Sequence, residues 1–330
     1  MKKILILFGG PSSEHLISCK SAKSIIEHID DDKYEVDICG ISEDNIWYQF
    51  DDLLDMLETG NWLVSTQKKR IENIIEFIKK YDIVFPIIHG SLGEDGKIVA
   101  LLDMFGVKYI GSGVLSHALG YDKYFTKQIC KNIGVKQVDY VLIKKNENKH
   151  LKKIENSMNY PLIVKPCCCG SSIGITVVNN KKELSKGVKD AFKYDDKVII
   201  EKYIKNRREF ECGVLEDKKI VTSSIGEIVT NSKIYDYDSK YINKSKVIIP
   251  AFISNELSDT IKKQSLDIFN ILNCKGLARI DFIYDNDNDI LYFNEINTMP
   301  GFTDISMYAK GFINDGISYK ELINNLIDSV

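Results

Sequence analysis

Three residues near the end of the chain have the types and spacing to hold a hard cation, and an arginine stands beside them. "GLARIDF" (276–282) and "LYFNEIN" (291–297) read as strands joined by the turn "DNDND" (285–289). Residues i and i+2 of a strand share a face. Arg279 therefore lies beside Asp281, and Glu295 beside Asn297. If the strands form an antiparallel hairpin, two carboxylates and one amide converge. Mg²⁺ takes few protein carboxylates and completes its octahedron with other oxygens, often those of phosphate. An adjacent guanidinium suits negative charge developing in a transition state. A solvated edge with a structural ion pair gives the same pattern, so the rest of the chain must decide.

The elements that would position these groups fall into three blocks, 1–113, 114–200 and 201–330. The first alternates strands and helices: a strand at Lys3–Phe8, a helix at Ser18–His28 with Ser18 as N-cap, a buried strand in "YDIVFPIIHG", a helix in "KIVALLDMFG", and a strand in "VKYIGSG" (107–113). Such alternation predicts a parallel sheet with covered faces. The second block opens with one helix containing "YDKYFTKQICKNIG". It continues into "YPLIVKP" and "CCCGSSIGITVV", a hairpin with a small-residue connection. The third carries strands at Phe210–Leu215 and Lys219–Ile228, a polar stretch at Thr230–Lys246, a long helix near Asn255–Leu272, the proposed hairpin, and a terminal helix in "SYKELINNLIDSV". The expected class is α/β and α+β.

The 330 residues are 44% hydrophobic and 28% charged, with net charge −3, which is ordinary globular composition without a basic field for nucleic acid. The apolar run Ile4–Phe8 is too short for a secretory leader, and no run approaches a membrane span, so we expect no membrane partner. Eight cysteines at irregular spacing read as reduced thiols; Cys169, beside a Gly-Ser-Ser loop, is a candidate reactive one. The five histidines show no zinc-ligand spacing. No P-loop occurs. "FGGPSSEH" and "GSSIG" (170–174) are glycine turns able to present backbone N–H groups to an anion, and Lys165 precedes the second. Read alone, each is equally a tight or flexible turn.

Together these stretches resemble the D-alanine–D-alanine ligases of the ATP-grasp superfamily. The resemblance spans nearly the whole chain. It is carried, in family order, by "FGGPSSEHLIS", "HGSLGEDG", "YIGSGVLSHALGYDK", "IVKPCCCGSSIGI", "YDYDSKY", "GLARIDF" and "NEINTMPGFTDIS". It implies a three-domain ATP-grasp architecture with an N-terminal parallel α/β domain. ATP would lie between the central and C-terminal domains, held by Lys123, Lys165 and Ser172. Glu201, Lys202, Tyr203 and Ile204 would border the adenine, and Glu209 would reach the ribose. Asp281, Glu295 and Asn297 would hold two Mg²⁺ ions, for which Mn²⁺ substitutes. Glu14 would hold the ammonium of the first D-alanine, with His89 nearby. Ser171 and Tyr241 would link Glu14 to a lid carrying Lys240, Arg279 and the Gly301 N–H would form an oxyanion site, and Ser306 and Met307 would border the second substrate.

The implied reaction activates one D-alanine as D-alanyl phosphate, and the amine of a second attacks it to give D-alanyl-D-alanine for peptidoglycan synthesis. The implied protein is a cytoplasmic homodimer. Leu16, Val99, Ala309 and the Cys167–Cys169 run depart from the family's usual pattern without removing a proposed catalytic group. Met307 and "YDYDSKY" favour D-alanine at the second site. "GSSIGIT", "GLARIDF" and "NEINTMPGFT" are also similar to the D-alanine–D-serine branch of the vancomycin-resistance type. A nucleotide-binding module without catalysis, and a ligase for another carboxylate, are the competing readings.

Overall fold

The computed structural model describes residues 1–50, 54–145, 154, 157–229 and 246–330. The polar stretch with Tyr241 and Lys240 lies outside them, apart from Lys246 at its end. Three sheets organise the described chain.

The first sheet has the order β4-β3-β2-β1-β5. β1 (Lys2–Gly9), β2 (Tyr34–Ile41) and β5 (Ile83–Pro86) run parallel, while β3 (Trp47–Phe50) and β4 (Lys69–Arg70) extend it antiparallel. The expected parallel sheet is therefore a three-stranded centre with an antiparallel edge. β1 shows why both faces must be covered. Ile4, Ile6 and Phe8 enter one core, shared with Tyr308, Phe312, Leu322 and Leu326; Leu5 and Leu7 enter another, with Ile98 and Leu102. The helices Met307–Asn314 and Tyr319–Asp328 thus contribute to the core of the first sheet.

Four local expectations differ from the structure. The helix begins at His15, capped at Glu14. Ser18 lies inside it and instead joins two segments: its Oγ accepts from Gly9 N and donates to Ile87 O. Residues 107–113 make one bridge, Tyr109 to Val84, and no strand. The single helix expected after residue 114 is two, Val114–Tyr121 and Lys123–Lys131, because Asp122 turns extended and caps the second through Tyr124 N and Phe125 N. The strand expected at Lys219–Ile228 is two, β11 (Ile220–Thr222) and β12 (Gly226–Val229).

The middle sheet is antiparallel, ordered β6 (Tyr140–Lys144), β9 (Lys197–Lys202), β7 (Leu162–Pro166), β8 (Thr176–Val178). β9 passes through residue 200, the expected block boundary. The third sheet, also antiparallel, has the order β13 (Lys246–Ile248), β12, β10 (Arg207–Glu216), β14 (Leu277–Asp285), β15 (Ile290–Asn297), with β11 paired to β10. The helix Asn255–Ile271 covers its apolar face through Ile261, Ile268 and Phe269 against Phe282, Phe293 and Ile296. That leaves its other face toward the middle sheet.

Candidate active site

β14 and β15 pair with Asp281 opposite Glu295 and Arg279 opposite Asn297. The register then shifts, and Phe282 faces Phe293, so Asn294 is the extra residue of a β-bulge. The bulge keeps Phe293 and Ile296 in the core while Asn294, Glu295 and Asn297 are all partly exposed. Arg279 grips Asp281 twice, Nε to Oδ1 and Nη2 to Oδ2, both at 2.8 Å. Its Nε also lies 2.9 Å from Glu211 Oε2. Burial works against the guanidinium's charge, but Asp281 and Glu211 outweigh it and push its pKa well above the usual arginine value. Asn297 donates Nδ2 to Asp281 Oδ2 at 3.1 Å, which presents the amide oxygen as its acceptor. An all-oxygen set of two carboxylates and an amide fits Mg²⁺ and offers zinc none of its preferred nitrogen or sulfur. Among the described residues, the acid triple close enough to share an ion through carboxylates alone is Asp30–Asp32; there Asp30 is already paired with Lys33 and Lys320.

The opposite wall comes from the middle sheet. Lys165 Nζ lies 2.6 Å from Glu201 Oε2 and donates to Asn294 Oδ1 at 3.0 Å, spanning the cleft to the bulge. Lys123, on the helix Lys123–Lys131, reaches Glu295 Oε2 at 3.4 Å and donates to Cys169 O at 2.7 Å. One turn later, Lys127 Nζ lies 2.9 Å from Glu201 Oε1. Burial alone would raise the Glu201 pKa; Lys127 and Lys165 overcome it and lower the value to about 2. The cleft between the sheets is lined by Lys165, Ser172, Glu201, Lys202, Tyr203, Ile204, Arg207, Glu209, Asp281, Asn294 and Glu295, with the apolar Val138, Ile163, Phe210 and Ile228. Every residue expected near the nucleotide except Lys123 lines this cleft, and Lys123 touches Glu295 at its rim. Glu209 is held by Arg207 Nε at 2.7 Å.

A third group closes the site from the first sheet. The turn after β7 places Ser171 and Ser172 at φ 48° and 59°, in the left-handed region. This aims Ser171 Oγ at Glu14 Oε1, 2.5 Å away. The approach needs glycine at residue 170, where a Cβ would sit 2.3 Å from Glu14 Oε2. Burial, then the neighbouring Glu14 charge, pushes the Glu94 carboxyl up to about 8. His89 is wholly buried and uses both ring nitrogens: Nδ1 faces Met299 O and Nε2 faces Ser21 Oγ, each at 3.0 Å. A carbonyl only accepts, so Nδ1 carries the proton and Ser21 donates to Nε2. Burial lowers the His89 pKa, keeping it neutral. Ser21 Oγ also accepts from Phe302 N at 3.2 Å. Ser12 Oγ donates to His89 O at 2.6 Å and accepts from Glu14 N at 3.1 Å, so Glu14 and the Gly301 turn are tied to the same interior. Gly301 itself is open: a Cβ there would meet nothing within 4 Å.

Two further expected residues show local contacts beside the cleft. Ser306 caps the helix Met307–Asn314, donating to Thr303 O at 2.7 Å. Met307 packs its methyl over Gly226 of the third sheet. Tyr241 and Lys240 lie outside the described residues. Burial raises the pKa of each of the three neighbouring thiols, Cys167 to about 12, which disfavours the thiolate that a reactive Cys169 would need.

Reading the sequence missed Lys127, Glu211, Asn294, Glu94 and Ser21. Lys127 was within reach, since it follows Lys123 by one helical turn on the same face. Asn294 was not, because strand alternation assigns it to the core face and only the bulge reverses that.

Comparison with known proteins agrees along the whole chain. The family described as D-ala D-ala ligase N-terminus matches residues 3–112, and that described as D-ala D-ala ligase C-terminus matches residues 129–328. The chain belongs to the D-alanine–D-alanine ligase family. A member from Clostridium novyi, named D-alanine--D-alanine ligase, is 41% identical over 334 residues, covering 99% of this chain and 97% of the relative. Among solved members, the VanG D-Ala:D-Ser ligase from Enterococcus faecalis superimposes with TM-score 0.89 at 32% identity, over 100% of this chain and 99% of that one. The Bacillus anthracis D-alanine--D-alanine ligase complexed with ATP gives TM-score 0.76 at 28% identity, over 100% and 97%. An α/β ATP-grasp architecture follows for this ligase-family chain.

Proposed function

We propose that this protein is an ATP-dependent ligase that joins two D-alanine molecules through D-alanyl phosphate, supplying D-alanyl-D-alanine for peptidoglycan. The observation that carries the reading is the in-register set Arg279, Asp281, Glu295 and Asn297, faced across one cleft by Lys123 and Lys165. A carboxylate is a poor electrophile, and phosphorylation gives it a leaving group. Two magnesium ions, held by Asp281, Glu295 and Asn297 and replaceable by manganese, would neutralise phosphate charge during transfer. Lys123 and Lys165 add fixed positive charge, with Ser172 in the same wall. Residues Glu201 to Ile204 border the base, and Glu209 the ribose. Glu14, aimed by Ser171, binds the first substrate's ammonium, and neutral His89 braces the Gly301 turn. Arg279 and the Gly301 N–H receive the tetrahedral oxyanion. Ser306 and Met307 border the second substrate, under a lid carrying Lys240 and Tyr241 that excludes water.

The division at 1–113, 114–200 and 201–330, a homodimeric state and a cytoplasmic location belong to the same reading and rest on family membership. Among the described residues no helix is long and apolar enough to cross a membrane. A second reading, D-serine at the second site, is favoured by the TM-score of 0.89 to the D-Ala:D-Ser enzyme. Against it stand the non-basic Met307 and curated relatives named for D-alanine. Purified protein with Mg-ATP and D-alanine, D-serine or D-lactate, scored by product mass, tests both. D-Alanyl-D-alanine should dominate. Phosphate release indifferent to any D-amino acid would remove the ligase reading.

A further inference from the structure

Two buried lysines share one buried carboxylate, yet only one of them faces the cleft. Glu201 Oε2 lies 2.6 Å from Lys165 Nζ, and its Oε1 lies 2.9 Å from Lys127 Nζ, the latter an ion pair by distance whose angles fall outside hydrogen-bond geometry. The side chains of Glu201 and Lys127 are each 1% exposed, whereas that of Lys165 is 7% exposed and lines the cleft. Lys127 does not line it. Its ammonium lies 5.7 Å from the Tyr140 ring and 5.9 Å from the Phe293 ring, within cation–π range of both. Lys127 is therefore boxed in by one carboxylate and two aromatic faces, with no route to a ligand. Lys165 has somewhere to go, since it already crosses to Asn294 on the other wall.

The charge balance then matters. A lone carboxylate in a dry interior holds its counter-ion tightly, because the alternative is an unpaired buried charge. With Lys165 as its only cation, Glu201 would compete with any phosphate for that ammonium. With Lys127 fixed on the other oxygen, Glu201 is already neutralised and the second ammonium is surplus. We propose that Lys127 is a positioning residue, the standing counter-ion of Glu201, and that it frees Lys165 to give its charge to the nucleotide's phosphates. Lys127 itself touches no substrate. The inference rests on the ATP reading of the cleft given above.

The test is nucleotide affinity, which needs no turnover. Full-length protein is titrated calorimetrically with a non-hydrolysable ATP analogue and Mg²⁺. Lys127→Met should weaken binding at least tenfold and raise the ATP KM in parallel, while both D-alanine KM values stay within about twofold of wild type. Glu201→Gln is the reference for whatever Glu201 itself gives the base. Beside it, Lys127→Met/Glu201→Gln should bind the analogue within about twofold, since a neutral amide needs no counter-ion. A purely structural lysine would cost as much in that background as in the wild type. If Lys127→Met proves too unstable to assay, the comparison of Glu201→Gln with the double variant stands alone. Unchanged affinity in Lys127→Met, or a tenfold loss from Glu201→Gln to the double variant, overturns the inference. If the wild-type protein binds no nucleotide, the ATP reading itself fails and takes the inference with it.

Discussion

The two walls of the cleft hold charge in different ways. On β14 and β15 the ionic groups are set by register, and Glu295 stays within reach of solvent, its side chain 25% exposed. On β7, β9 and the helix Lys123–Lys131 the central carboxylate is 1% exposed and saturated with lysine. One wall carries one acid more than its own arginine balances, Asp281 and Glu295 against Arg279. The other has cations left over after its acid is satisfied. Magnesium triphosphate presents both signs, and on the proposed ligase reading a cleft with this asymmetry would orient it without a P-loop. The acidic wall should therefore govern chemistry, and the buried wall affinity and stability.

The largest effect should come from the acidic wall. Glu295→Gln should lower D-alanine-dependent phosphate release by about 100-fold or more through weakened metal binding, with circular dichroism unchanged. A normal rate would mean the cation sits elsewhere. Arg279→Met should cost roughly 3–4 kcal/mol of transition-state stabilisation, read as a drop in kcat. It should also lower the melting temperature, because Asp281 and Glu211 lose their shared cation. Loss of stability without loss of kcat would make Arg279 structural only.

A smaller effect is expected where the glycine turn meets Glu14. Gly170→Ala would place a methyl 2.3 Å from Glu14 Oε2, so either the turn or Glu14 must shift. We expect the KM for the first D-alanine to rise about tenfold while analogue binding holds, a loss on the scale of one charge-assisted hydrogen bond. Equal loss of both would show that the turn serves the nucleotide instead.

The smallest effect concerns stability and pH. The folded Glu201 pKa, about 2, lies below its ordinary 4.5. Its contribution is therefore fully present above pH 4.5 and is lost as the pH falls toward 2. Wild-type protein should lose melting temperature across that window, and Glu201→Gln should lose visibly less. Parallel curves would show that Glu201 is not the group titrating.

Much of the acidic wall was legible because it is local. Strand period, the "DNDND" turn and the i, i+2 spacing bring Arg279, Asp281, Glu295 and Asn297 together in a few residues of chain. Ordered motifs extended the reading to family and reaction. Local signals failed where a neighbour decided the outcome. Ser18 has the chemistry of a cap, yet it joins Gly9 to Ile87 because the helix begins a turn earlier. The run 107–113 has strand-like residues but finds only one bridge to β5.

By itself the sequence determined most of the secondary elements, the acid–amide pairs and the family, because each depends on residues close in the chain or on a preserved motif order. Tertiary structure alone decided that Asn294 turns into the cleft, that Lys127 shares Glu201 with Lys165, and that His89 braces the Gly301 turn. Each of these depends on a bulge or on contacts between residues tens to hundreds of positions apart, and burial then sets which charges are tied up and which are left for a ligand.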